Sequence, residues 1–142
     1  MTNKIDIVGG APSSTNLVQG RSLNVAALKW ELQPYTKGTS IQISESPTKL
    51  HNFIIRVDSQ PLAAGIYPDV TVKDLHDLSV FGSKQIDSIM LQREVDCVDI
   101  AEIVRLIKKG GYLCLIGQDV SIPRFKLVLD NKEMYLKIYQ KE

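Results

Sequence analysis

Histidine and cysteine are scarce in this chain, with two of each among 142 residues. Cys97 and Cys114 are too few and too far apart for a disulfide framework, and neither sits in a Cys-x-x-Cys pair. That excludes a disulfide-stapled scaffold and fits a reducing compartment. Cys114 lies inside the apolar run Tyr112-Leu-Cys-Leu-Ile116, where a cysteine behaves as a small hydrophobe. His51 and His76 alone leave a histidine metal site without support, and no Ser/His/Asp or Cys/His spacing is present.

An excess of either charge is missing as well. The 17 basic and 16 acidic residues give a formal net charge of +1. A duplex-binding surface needs a basic face to neutralise phosphates, so the balance argues against nucleic acid as a partner and leaves room only for a local basic patch. No apolar stretch reaches the length of a signal peptide or a membrane span, which sets the expectation of a soluble, cytoplasmic protein with no membrane contact. What the chain does have is a composition that is 44% hydrophobic and 23% charged, that of a folded globular protein. The length suits one domain over 1–142, with residues 1–20 as an N-terminal strand and loop.

Residues 4–8 alternate and run into Gly9-Gly-Ala-Pro-Ser-Ser-Thr15, a short strand and a loop. That loop has the glycines of an anion nest but no phosphate-loop lysine, and it reads as a turn. Leu23-Asn-Val-Ala-Ala-Leu28 and Thr39-Ser-Ile-Gln-Ile-Ser44 each read as a strand, as do Asn52 to Val57 and Val70-Thr-Val72. Ile86 to Leu91 reads as a strand buried on both faces. A helix follows: Ile100, Ile103, Val104 and Ile107 share one face, Asp99 caps with Glu102 three residues on, and Gly110-Gly111 closes it after Lys108-Lys109. Tyr112 to Ile116 is the next strand. Phe125 to Leu129 and Met134 to Ile138 then flank Asp130-Asn131, which reads as a hairpin turn. The order predicts an α/β fold with a mostly parallel sheet and an antiparallel C-terminal pair, its ligands outside the carboxyl ends of the strands.

Four pieces between Tyr67 and Gly117 fall in a further recognisable order. They are Tyr67-Pro-Asp-Val-Thr-Val-Lys-Asp-Leu-His-Asp-Leu78, the strand Gln85-Ile-Asp-Ser-Ile-Met-Leu91, the helix with its Lys108-Lys-Gly-Gly111 ending, and the strand Tyr112 to Ile116. Together they resemble the second half of class I S-adenosylmethionine methyltransferase domains, especially the compact variety whose first strand reads Leu-Asn-(Ile/Val)-Gly-x-Gly. The resemblance implies a Rossmann-like sheet with an antiparallel C-terminal hairpin and S-adenosylmethionine as cofactor. It puts the Asp74-Leu75 turn against the adenine, Asp87 on the fourth strand, and Asp58 where a carboxylate accepts from the ribose hydroxyls. Arg93 and Glu94, just after the fourth strand, would face the methyl acceptor.

The departure is in the first strand, where Leu23-Asn-Val-Ala-Ala-Leu28 stands in place of the glycine loop. Glycines there let the backbone approach the cofactor and take positive φ. Ala26 would occupy that cofactor-binding loop, and Trp30 would fill the space it leaves. Taken without the resemblance, Asp58 reads as a turn aspartate, His76 as an exposed loop histidine, and Arg93 and Glu94 as a solvated loop. Methyl transfer can proceed by alignment of donor and acceptor, with a general base helping a poorly acidic acceptor. Two functions therefore stand side by side: a methyltransferase with an atypical or lost cofactor loop, or a non-catalytic interaction module on the same fold. The short chain leaves little room for a substrate-recognition subdomain, so a protein partner or a second copy is expected to complete its surface.

Overall fold

The computed structural model describes residues 25–46 and 48–142. The expected strand at 4–8 and the Gly9-Gly10 loop lie outside them. The elements are α1 (Val25–Leu32), β1 (Ser40–Ile43), β2 (Ile55–Asp58), β3 (Val70–Thr71), β4 (Ile86–Leu91), α2 (Ile100–Leu106), β5 (Ile107–Ile116), β6 (Phe125–Asn131) and β7 (Leu136–Lys141). They form a sheet of order β3-β2-β1-β4-β5-β7-β6. The neighbours from β3 to β5 are parallel, whereas β7 runs antiparallel to both β5 and β6. The expected α/β fold, mostly parallel with an antiparallel C-terminal pair, is therefore present.

Both faces of the central strands are covered, and side chains alternate between two cores. Ile41, Ile43, Ile89, Leu91, Leu113 and Leu115 point to the face that carries α2, where they meet Ile103 and Leu106. Met90, Cys114, Ile116, Leu136 and Ile138 point to the other face, which α1 covers with Leu28 and Leu32. The α1 pair is four residues apart, one turn of helix, and both side chains are buried.

The first correction to the sequence reading falls on α1. The run Leu23 to Leu28 was expected as a strand, but from Val25 onward it is helix. Alanine, leucine, lysine and glutamate are strong helix formers, and Val25 is the one β-branched residue between Val25 and Leu32. Ala26 therefore lies on the exposed side of a helix that precedes β1, and Trp30, 74% exposed, fills no internal space. Among the described residues the first strand of the sheet is Ser40–Ile43, the segment read from its alternation.

The second correction concerns α2. Asp99 caps it as expected, accepting from the Ala101 amide at 2.9 Å. The helix stops at Leu106, however, and Ile107 is already extended and paired with Ile86. Lys108-Lys109-Gly110-Gly111 is thus no helix end. In the β4–β5 register Ile86 faces Ile107 and Ser88 faces Tyr112, so the four residues between bulge out of the ladder. Gly111 makes this possible, since a Cβ there would lie 2.6 Å from the Asp87 carbonyl oxygen. The helix's last carbonyls find other donors: the Lys141 ammonium reaches Val104 O at 2.5 Å and Ile107 O at 2.6 Å, and the Lys84 amide reaches Arg105 O at 2.9 Å.

The hairpin is shifted in the same way. The strand runs through Asp130-Asn131, and the turn falls at residues 132–135, where Asn131 Oδ1 accepts from the Met134 amide at 3.1 Å. Among the described residues the connections from β1 to β2, β2 to β3 and β3 to β4 contain no α-helix; α2, between β4 and β5, is the one crossover helix.

Candidate functional site

The strand order reverses between β1 and β4, because the chain builds β2 and β3 on one side of β1 and places β4 and β5 on the other. In open α/β sheets that reversal leaves a crevice at the carboxyl ends of the strands, where ligands bind. Here the residues at those ends are Ser44 and Glu45 after β1, Asp58 closing β2, Gln92 and Arg93 after β4, and Gln118 after β5.

They bond to one another. Ser44 donates to Gln92 Oε1 at 3.0 Å and accepts from the Ser46 amide at 3.0 Å. Asp58 is fully buried, and each of its carboxylate oxygens is engaged. Oδ1 accepts from the amides of Ser59 at 2.7 Å and Gln60 at 3.2 Å, and Oδ2 accepts from Arg93 Nε at 3.1 Å and Nη2 at 2.7 Å. Arg93 Nη1 also lies 3.8 Å from Glu45. Gln118 donates to the Arg93 carbonyl at 2.6 Å and accepts from the Val95 amide at 3.2 Å, which holds the arginine's backbone in place.

The loop after β1 takes its shape from within the strand. Gln42, almost wholly buried, donates to Thr48 O at 2.8 Å and accepts from the Leu50 amide at 2.9 Å. Its amide thus does the work of a neighbouring strand for a segment that has none.

Asp58 and Arg93, read from the sequence as belonging to opposite parts of a site, are therefore direct partners. The others are elsewhere. Leu75 is buried in the core beneath α2, and Glu94 is half-buried, its carbonyl accepting from the Cys97 amide at 2.9 Å. Asp74 is exposed and accepts from the His76 amide at 2.9 Å and lies 3.1 Å from its Nδ1. Asp87 sits at the start of β4, the end of the sheet opposite the crevice. Gln92 opens the stretch after the fourth strand that the resemblance turns toward the acceptor, whereas nothing in the sequence reading marks Ser44, Glu45 or Gln118. The signal for Ser44 and Glu45 in the sequence is the alternating strand at 39–44 running into the turn-like Ser44-Glu-Ser-Pro-Thr48.

His76 ties two loops together. Its Nε2 is 3.1 Å from the Asp96 carbonyl, so the ring bridges the β3–β4 connection and the turn after β4. Hydrogen bonding to the Asp74 carboxylate first, and to the Asp96 carbonyl second, raises its pKa above the ordinary 6.5. A group whose folded pKa is raised contributes stability that is complete below its unfolded value and lost as pH rises through the folded one. An NMR titration of the His76 ring should show a midpoint above 6.5 that falls back when Asp74 is replaced by asparagine. A wild-type midpoint at or below 6.5 would mean the bridge is absent in solution.

Among the described residues no group of three or more His, Cys, Asp and Glu side chains is placed to hold a metal ion, and no helix is long and apolar enough to cross a membrane. No protein-family model matches the chain, and no curated protein matches it.

Proposed function

We propose that the chain is a methyltransferase-like, Rossmann-type domain that serves as a non-catalytic interaction module, its nucleoside crevice closed by an internal ion pair. The fold part of this reading is supported by the order β3-β2-β1-β4-β5, which follows the doubly wound pattern, with the antiparallel β7 inserted beyond it. The functional part rests on one observation. Asp58, the carboxylate that a nucleoside's ribose would need, is buried and bonded by Arg93 and by two backbone amides. A cofactor would have to displace the guanidinium and replace a charge-assisted contact with neutral hydroxyls, which is unfavourable at a buried carboxylate. What remains for function is the outer surface, offered to a protein partner or a second copy. Fold alone settles no activity, so the crevice has to be tested directly. Calorimetric titration of the folded protein with S-adenosylmethionine and S-adenosylhomocysteine should give no saturable binding at millimolar ligand. Saturable micromolar binding of either would overturn the reading and restore the transferase.

A further inference from the structure

The β4–β5 bulge does more than end a helix. With the turn at 33–38 it walls a cleft of about 340 Å³ at the amino end of β4, the end of the sheet opposite the crevice. Lys37 enters from one wall, and Lys108 and Lys109 from the bulge. Its one acidic side chain, Asp87, is already engaged: Oδ2 accepts from the Thr39 amide at 2.7 Å, and Lys108 Nζ lies 3.2 Å from Oδ1. The carboxylate also lies over Gly38, where a Cβ would come 2.6 Å from its Cγ, so position 38 has room only for glycine. Lys108 and Asp87 neutralise each other, and among the described residues Lys37 and Lys109, which also line the cleft, form no ion pair.

The remaining lining is Pro34, the two glycines of the bulge and two tyrosines. Tyr35 and Tyr112 meet edge to face, with ring centroids 4.9 Å apart and planes at 76°. Burial raises the Tyr35 pKa above its ordinary value. Gln140 donates to the Tyr112 hydroxyl at 3.3 Å and to the Gly110 carbonyl at 3.1 Å, anchoring ring and bulge together. Gly110, at φ 84°, has open space where a side chain would be.

We infer that this cleft binds a nucleoside monophosphate. The ammonium groups of Lys37 and Lys109, which have no acidic partner among the described residues, match the two charges of a phosphomonoester, and the half-buried rings of Tyr35 and Tyr112 line the wall where a base would lie. The volume lies at the small end of the range for ligand pockets, which suits a mononucleotide. The site is separate from the crevice that Asp58 and Arg93 fill, and it stands or falls without the reading of that crevice.

The test is calorimetric titration with adenosine monophosphate, adenosine and inorganic phosphate, on the wild type, on the double variant Lys37→Ala/Lys109→Ala, and on Lys73→Ala. Lys73 is an exposed lysine outside the cleft and serves as the control. Adenosine monophosphate should bind saturably, and adenosine and inorganic phosphate each about tenfold more weakly, since each lacks half of the recognised group. The double variant should lose about tenfold in affinity and the control should match the wild type. All three proteins should keep the wild-type circular dichroism spectrum, because these side chains are exposed. Absence of saturable binding, equal affinity for adenosine, or equal losses in the double variant and the control would each overturn the assignment.

Discussion

Replacing Asp58 by alanine should cost about 3–5 kcal/mol of stability, read as a fall in the urea midpoint at unchanged slope. The change removes an acceptor of four hydrogen bonds from a position with no solvent access. The Arg93 guanidinium, with 20% of its side chain exposed, would keep part of its hydration, but the Ser59 and Gln60 amides would lose their acceptor. Arg93→Ala should be similarly damaging for the reciprocal reason, since it strands a buried carboxylate without its cation. The double variant supplies the decisive number. If the two residues act as a pair, their combined loss should fall short of the sum of the single losses by about 2 kcal/mol or more. Additive losses would show that the side chains do not meet in solution, and would reopen Asp58 to a ligand.

The other large effect is expected on α2. Ile103→Asp would put a carboxylate into the buried cluster that holds Ile89, Leu91 and Leu113, and should cost on the order of 4 kcal/mol. Val104→Asp, one residue on, should cost only about 1 kcal/mol, because that position is half-buried and a carboxylate there can turn toward water. The contrast between neighbours is the informative quantity, and chemical denaturation of the two variants side by side measures it. Equal losses would mean that the helix is rotated about its axis relative to this arrangement.

That contrast also shows where sequence pattern was sufficient and where it was not. Ile100, Ile103, Val104 and Ile107 fit a helical face, and the existence of α2, its Asp99 cap and the parallel pairing of β4 with β5 all follow from local signals. Leu106 was missed. The chain leaves the helix after it to meet Ile86, and tertiary pairing overrides the periodicity there. The Lys-Lys-Gly-Gly stretch was legible as a break but not as a bulge, since the distinction depends on how much chain β5 has to absorb opposite Ile86 and Ser88. At α1 a short apolar run was compatible with either periodicity, and its continuation to Leu32 decides for helix. Asp58 and Arg93 were both selected from sequence, yet their union was not visible. They are 35 residues apart, and only the adjacency of β2, β1 and β4 brings them together.

The scarcity of helices between the first four strands bears on how the molecule is assembled from its chain. In a sheet whose crossovers are helical, each connection can form locally and shorten the gap that the next strand must close. Here Ser40 meets Ser88 across 48 residues whose described part contains strands, turns and one short 3-10 helix, Ala63–Gly65, but no α-helix. The C-terminal hairpin can close on its own, whereas the β1–β4 pairing gains nothing until segments as far apart as Ser40 and Ser88 have been brought into register. Most of the loop-closure entropy therefore falls on β1, the strand that holds the two halves of the sheet together.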